Sequence, residues 1–303
     1  MALGPRRASR RAPQGARRAL VAWGFTLPFV LFFSVFMLLP ILSSLAMSFT
    51  SFRAMDILNP FGAKFVGFEQ YAALFGDGQF LKSFGVTAYF VAVGLPLTMA
   101  VALALALALN SGIERFRAFF RVGFYLPVVC SIVAVAIVWR FILQNEGFMN
   151  AALGWFGISG PNWLNSTTWA MPAMILMAVW RNTGTLMIIF LAGLQAISPE
   201  MREASALDGA GIWQRFIHIT LPLMRPTLLL GAVLTSVGYL QFFEEPFVMT
   251  SGGPLDSTLS VSYYIFNQFG FGKYGTASAA SYVLFVIIAL ISLVQFRVLR
   301  TKD

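Results

Sequence analysis

The sequence is poor in the residue types that most enzymes and secreted scaffolds rely on. It holds one cysteine, Cys130, and one histidine, His218. A disulfide framework within the chain is therefore excluded, and so is a cluster of thiolate or imidazole metal ligands, so no metal site is expected. Charge is scarce too. Asp, Glu, Lys and Arg make up 11% of the 303 residues, against roughly 25% in a soluble domain. The short alternating segments of a membrane β-barrel are missing as well. An intramembrane enzyme would need a catalytic dyad within the apolar segments, and no paired residues of that kind occur there.

What is present is hydrophobicity. It accounts for 58% of the residues and is gathered in blocks of about 20 or more, the length that carries a helix across a ~30 Å hydrocarbon core. The pattern defines an all-α, polytopic membrane protein. Six spans are expected, at Leu20–Ser48, Phe84–Leu109, Ala118–Leu143, Thr168–Leu194, Pro226–Met249 and Ala277–Val298.

The formal charge of +9 has a topological pattern. If six spans alternate, one side receives Arg6, Arg7, Arg10, Arg11, Arg17, Arg18, Arg115, Arg117, Arg121, Arg202, Arg215, Arg225, Arg297, Arg300 and Lys302. The other side receives only Arg53, Lys64, Lys82, Arg140 and Lys273. The positive-inside rule puts the first group, with both termini, in the cytoplasm. The excess charge is a topology signal and does not point to nucleic acid. The first hydrophobic run is too long for a secretory h-region and has no small-residue cleavage site, so it reads as a retained span. The expected organisation is a basic, lipid-facing cytoplasmic tail (1–19), a first span with its extracytoplasmic loop (20–83), and a core of five spans (84–303).

Loop one, Phe49–Ser83, mixes aromatics with turn residues in "NPFGAKFVGFEQYAALFGDGQF" and suits a short amphipathic helix at the membrane surface. Trp155, Trp163 and Trp169 fit an aromatic belt at the interface, and contact with an external partner is the other reading.

The most informative segment is polar. "EASALDGAGIWQRFIHITLP" (Glu203–Pro222) interrupts two membrane-length blocks on the cytoplasmic side. Ser198-Pro199-Glu200 is a helix start, with a capping hydroxyl, a first-turn proline and an acidic residue opposing the dipole. One short helix is expected over Met201–Leu207. A break follows at Asp208-Gly209-Ala210-Gly211, and a second helix, Ile212–Ile219, ends before Pro222. The small side chains of Ala204, Ser205, Ala206, Gly209, Ala210 and Gly211 let another protein approach closely. Residue chemistry alone leaves two readings, an ordinary connector or a gripped docking element.

The spacing of Glu203-Ala204-Ser205, Gly209 and Ile219-x-Leu221-Pro222 resembles the EAA loop of binding-protein-dependent ABC importer permeases, with Ser205 in place of the second alanine. "FVGFEQYAALF" (Phe65–Phe75), the "YLP" at Tyr125–Pro127, "TSGGP" (Thr250–Pro254) and "GTASAASYVLF" (Gly275–Phe285) resemble the carbohydrate branch, the MalF/UgpA-like permeases. The resemblance covers nearly the whole chain after the arginine-rich tail. It implies the MetI-like permease fold and a coupling helix within the EAA loop (195–225). It also implies partners: a second, homologous permease subunit in a heterodimer, two ATPase subunits, and an extracytoplasmic solute-binding protein. On this resemblance Glu203, with Ala204 and Ser205, docks in an ATPase cleft, while Asp208, Gly209 and Gly211 shape the turn. The chain would sit in a prokaryotic cytoplasmic membrane.

No G-x4-G-K-[ST] stretch is present. "FGFGKYGT" (Phe269–Thr276) has Asn267 where the first glycine belongs and Tyr274 where Ser or Thr belongs. ATP and Mg²⁺ are expected on the partner ATPase, with no cofactor on this chain. For the solute, polar residues within apolar spans are the guide, because an ionisable group there costs about 2.5–3.5 kcal/mol on insertion scales. Arg181 is such a group. Tyr239, Gln241 and Glu244 fall in the outer half of span five, where Pro246 is expected to break the helix. Family register adds Asn182, Thr185, Thr235, Tyr239 and Phe242 as sugar-facing positions. Aromatic faces with amides and hydroxyls suit polyols. Alternatives stay open: Arg181 pairing with Glu244 or Glu245, a wetted interfacial position for both glutamates, and a phosphate-bearing solute such as a glycerophosphodiester. A stand-alone channel or secondary transporter would need its own selectivity elements, and no inverted repeat is visible.

Overall fold

The computed structural model describes residues 14–59, 62–110, 117–198, 200–201 and 209–299. Among these the chain is almost entirely helical, and its only strand-like pairing is an isolated bridge between Thr50 and Phe65. Glu203, Ala204, Ser205 and Asp208 lie outside the described residues, as do Arg202 and the tail through Pro13.

The first span is built from α1 (Gln14–Phe33) and α2 (Leu39–Ser48), joined by a wide turn over Ser34–Leu38. Its apolar stretch, Val21–Ser48, buries almost nothing against the rest of the chain and presents Phe25, Phe29 and Phe36 outward. A short helix in loop one, α3 (Glu69–Gly76), is followed almost at once by α4 (Gly78–Asn110), the second span. This span starts at Gly78, earlier than the hydrophobic run alone indicates. The reason is Asp77, whose Oδ1 accepts from the backbone N–H groups of Gln79 (2.8 Å) and Phe80 (3.4 Å) and caps the helix ahead of its apolar stretch.

The third span is not one helix. Its halves α5 (Arg117–Val129) and α6 (Ile132–Ile142) meet at 98° across Cys130-Ser131. Pro127 weakens the last turn of α5 by removing a donor and crowding the preceding carbonyl. After α7 (Phe148–Gly154) comes α8 (Ala170–Gln195), the fourth span and the most buried of the long helices.

The elbow helix α9 (Ile212–Leu223) runs into α10 (Arg225–Leu240) at 67°. The second elbow helix therefore does not stop before Pro222, as its sequence suggests. A wide turn at Phe216–Thr220 loosens the helix ahead of the ring, and the bend falls at Met224, two residues before Pro226. Pro246 does not break the fifth span either. Helix α10 ends at Leu240, and Pro246 sits in the first turn of a new helix, α11 (Glu244–Met249), where its missing donor is no loss. Finally α12 (Val261–Gly270) and α13 (Tyr274–Leu299) complete the chain, with α13 as the sixth span. Among the described residues four helices are long and apolar enough to cross a membrane, or up to six spans when each bent pair counts as one.

The core lies between α4 and α8; α5 packs on α8, α10 packs on both, and α13 packs on α2, α10 and α12. Small residues permit the close approach, as expected where lipid supplies no hydrophobic drive between helices. Ala102 and Ala106 of α4 are completely buried, as are Met187 and Phe190 of α8. At Gly184 the backbone of α5 comes so near that a Cβ would collide with the Phe124 carbonyl oxygen. Near loop one a separate cluster unites Leu74, Phe80, Val261 and Tyr264 with Ala279 and Ala280 of α13. The "FGFGKYGT" stretch is part of this packing. Gly272 adopts φ +70°, and its carbonyl accepts from Ala54 N–H at 2.9 Å, so the segment is a turn seated on loop one.

Trp163 and Trp169 form an edge-to-face pair, with centroids 5.3 Å apart. The Trp163 Nε1–H donates to Asn150 Oδ1 at 2.7 Å, so this ring braces the loop, whereas Trp155 is exposed.

Candidate functional site: a polar cavity within the bundle

A cavity of about 230 Å³ opens between α8, α10 and the start of α11. The helical period places Arg181 and Thr185 on one face of α8, one turn apart, with Asn182 beside them. Across from them α10 contributes Thr235 and Tyr239, again one turn apart. The chain then leaves the helix after Leu240, which lets Gln241, Phe242 and Glu244 turn toward the same space. All eight residues expected on the solute path thus line one cavity. Ile132, Leu186, Ile189 and Leu234 add apolar wall; these went unremarked in the sequence, although Ile189 lies one turn beyond Thr185 on the same face.

Roles within the wall differ. The Tyr239 hydroxyl lies 2.7 Å from that of Thr98, and the residue is 5% exposed. Phe242 stacks on Phe90 with centroids 4.0 Å apart and planes within 7°, leaving 3% of the residue exposed. Gly94 makes room behind Tyr239, since a Cβ there would approach the ring to 3.1 Å. The two aromatics are thus committed to packing, and the groups free to meet a solute are polar. Asn182 Nδ2 donates to the Ala178 carbonyl at 2.9 Å, which fixes its amide and leaves its Oδ1 facing Arg181 Nη1 at 3.5 Å.

Glu245 departs from the wetted interfacial position that its sequence context allows. The fold-back after Leu240 buries it to 4% exposure on the cavity wall, and its Oε2 has no hydrogen-bond partner among the described residues. Arg181 Nε is likewise buried and without a partner among them. A cavity holding a guanidinium, two carboxyls, two amides and hydroxyls can exchange many hydrogen bonds with a polyhydroxylated solute.

The elbow's described part begins with the cap anticipated at Ser198, whose Oγ accepts from Met201 N–H at 3.4 Å. Gly209 takes φ +79°, a left-handed conformation that glycine adopts without strain. Gly211 follows as the residue before α9, its N–H donating to Gln214 Oε1 at 2.9 Å. Ile212 and Trp213 project from this turn at 79% and 75% exposure, two large apolar side chains that the sequence pattern did not single out. His218 Nδ1 lies 3.1 Å from the Gln214 carbonyl of its own helix.

Membrane-length helices, some broken, around a polar cavity define a solute-transporting membrane protein. The chain belongs to the family of binding-protein-dependent transport system inner membrane components, whose sequence profile matches residues 98–301. It is 36% identical over 286 residues to the lactose transport system permease protein LacF of Rhizobium radiobacter, covering 92% of this chain and 94% of that one. It is 31% identical to the trehalose/maltose transport system permease protein MalF of Thermococcus litoralis, covering 94% and 96%. Among solved structures it superimposes on a bacterial ABC transporter involved in the import of the acidic polysaccharide alginate. There the TM-score is 0.80 at 26% identity, over 94% of this chain and 98% of that one. A bacterial alginate ABC transporter in complex with an alginate pentasaccharide-bound periplasmic protein gives a TM-score of 0.79 at 26% identity, over 95% and 98%. The fold is accordingly the MetI-like ABC permease fold.

Proposed function

We infer that this chain is the permease subunit of a carbohydrate ABC importer, and that the cavity lined by Arg181, Asn182, Thr185, Gln241 and Glu244 is its solute path. The observation carrying this reading is that one cavity collects these polar groups from successive segments of a bundle otherwise rich in apolar side chains. Sugar permeases among the relatives, lactose and trehalose/maltose systems included, support the solute class.

In this reading the chain pairs with a second, homologous permease, and an extracytoplasmic binding protein delivers solute at the loop-one end. Two ATPase subunits, holding ATP and Mg²⁺, grip the elbow around Glu203, Ala204, Ser205 and Asp208. Both termini face the cytoplasm, as the distribution of arginine indicates. Closure of the ATPases on ATP pulls the elbow, and the bend at Met224 passes that movement to α10, which carries Thr235 and Tyr239 on the cavity wall. The pair of permeases thereby alternates between outward-open and inward-open states. Energy enters at the elbow and originates on the partner.

The test is ATPase activity of the reconstituted complex, stimulated by binding protein loaded from a panel of sugars and glycerophosphodiesters. Stimulation by a saccharide is expected. Solute flux through the isolated chain without ATPase would overturn the reading in favour of a channel or secondary transporter.

A further inference from the structure

We propose that the cleft between the end of α4 and the elbow helix α9 is a binding site for an anionic phospholipid, whose phosphate is held by Arg215 and whose acyl chain covers the apolar walls. The site lies apart from the solute cavity and goes beyond the transport reading.

The cleft has a volume of about 430 Å³, within the roughly 300–1,000 Å³ range of small-molecule sites. From α4 it takes Leu107 and Asn110, one turn apart where that helix ends. From α9 it takes Ile212, Trp213, Arg215 and Phe216. The Trp213 and Phe216 rings meet edge on with centroids 6.1 Å apart, so they form one apolar surface. Within this frame sits a single cation. Arg215 is partly buried, and its Nε, shut off from solvent, has no hydrogen-bond partner among the described residues.

A guanidinium keeps its charge, offers five donors and accepts nothing. A buried donor left unpaired is costly. Its complement is an anion with several acceptor oxygens, and a phosphate takes the guanidinium fork through two parallel bonds. A free phosphate ion would satisfy Arg215 alone and leave Leu107, Trp213 and Phe216 against water. A phospholipid satisfies both needs, because its phosphate is joined to its hydrocarbon at the depth the cleft occupies. That depth is set by α4: Leu107 lies in its last apolar turn and Asn110 is its final residue, so the cleft spans the boundary between hydrocarbon and headgroups. Arg215 is also on the arginine-rich side of the chain, and the leaflet on that side is the one that carries anionic lipid. In phosphatidylcholine the choline ammonium offsets the phosphate, so a lone guanidinium favours a headgroup of net negative charge.

The experiment uses the complex of this chain with its sister permease and ATPase, in nanodiscs of phosphatidylcholine holding a minor amount of a photoactivatable lipid. The probe is phosphatidylglycerol or phosphatidylcholine with the same diazirine-bearing acyl chain, and labelled peptides are identified by mass spectrometry. Phosphatidylglycerol is expected to label the peptides holding Leu107 and Phe216 about fivefold more than phosphatidylcholine does, the gain from one arginine near an anionic surface. R215Q should bring that ratio toward one, whereas R297Q, which removes an exposed arginine of α13 outside the cleft, should leave it unchanged. If R215Q does not fold, competition on the wild type decides: unlabelled phosphatidylglycerol should displace the probe and inorganic phosphate should not. Equal labelling by the two probes, or a folded R215Q with the wild-type ratio, overturns the proposal. So does displacement by inorganic phosphate, which gives the cleft to a free anion. Labelling of neither peptide also overturns it, and a chemical cross-link from the cleft to the ATPase would then give the surface to the partner protein.

Discussion

The hydroxyls of Thr98 and Tyr239 lie 2.7 Å apart across the seam between α4 and α10, both shut away from solvent. Thr98 Oγ1 already donates its single proton to the Gly94 carbonyl at 2.7 Å, so Tyr239 is the donor of the pair. The two hydroxyls are therefore not equivalent. Tyr239→Phe removes a donor and leaves Thr98 still bonded to Gly94, at a net loss of about 0.5–1.5 kcal/mol. Thr98→Val removes the acceptor and strands a buried phenol, at about 1–3 kcal/mol. Thermal unfolding of the detergent-solubilised complex should show the larger drop for T98V. Equal drops, or the reverse order, would contradict this assignment of the proton.

A second prediction concerns the packing of α5 on α8. Gly184 touches the α5 backbone, where an added methyl would collide with the Phe124 carbonyl oxygen and reach Tyr125 Cα at 3.0 Å. Backbone cannot rotate aside as a side chain can, so Gly184→Ala should destabilise by roughly 1–3 kcal/mol. A methyl added at Gly123, on the facing helix, would meet no atom of the described residues within 4 Å. Gly123→Ala should therefore be neutral or stabilise by up to about 1 kcal/mol through helix propensity. Melting temperatures of the two purified variants decide the matter, and a G184A protein as stable as wild type would disprove the close contact.

The third prediction follows from Asp77, at the junction of loop one with α4. Partial burial raises its pKa, but this is outweighed by the Tyr264 hydroxyl donating at 2.6 Å, the N–H groups of Gln79 and Phe80, and the charge of Lys273. The net result lies below the ordinary value of 3.8. A carboxyl whose pKa is lower folded than unfolded contributes stability above the unfolded value, and this is lost as pH falls through the folded one. The stability of wild type should thus decline as pH drops below about 4. Asp77→Asn should start less stable at pH 7 and lose less on acidification, and parallel pH profiles for the two proteins would count against the cap.

Much of the fold was legible because a membrane imposes long apolar blocks: the first, second, fourth and sixth expected spans each coincide with a membrane-length helix, while the third and fifth are broken. The breaks were harder to read. Pro127 lies three residues ahead of the bend at Cys130-Ser131, and Pro222 passes through its helix because a wide turn precedes it. The polar side of the cavity was readable, since Arg181 and Asn182 stand out in an apolar span. What could not be read were distant partners. Tyr239 and Phe242 look like platforms for a sugar until Thr98, Gly94 and Phe90 of another helix are seen to hold them. Glu245 looks wetted until the chain folds back after Leu240.

The fourth prediction tests the elbow as the point where force enters. Its described portion has what a docking element needs: a capped start at Ser198, a glycine turn at Gly209 that only a residue tolerant of φ +79° can make, and exposed Ile212 and Trp213. Reversing charge at Glu203 should repel a basic group on the ATPase, whereas in the proposed assembly the sister permease would be met by helices within the membrane, which the change leaves untouched. A tagged chain carrying Glu203→Lys should therefore co-purify with the sister permease but retain the ATPase about tenfold more weakly, a change of ~1.4 kcal/mol in docking. Trp213→Ala, which removes apolar contact area and no charge, should weaken retention in a way that added salt does not deepen, while the charge at Glu203 makes the wild-type contact salt-sensitive. Normal ATPase stoichiometry and normal uptake in E203K would remove the elbow from the energy path, and the same salt response in W213A and wild type would leave Glu203 as the seat of the electrostatic contact.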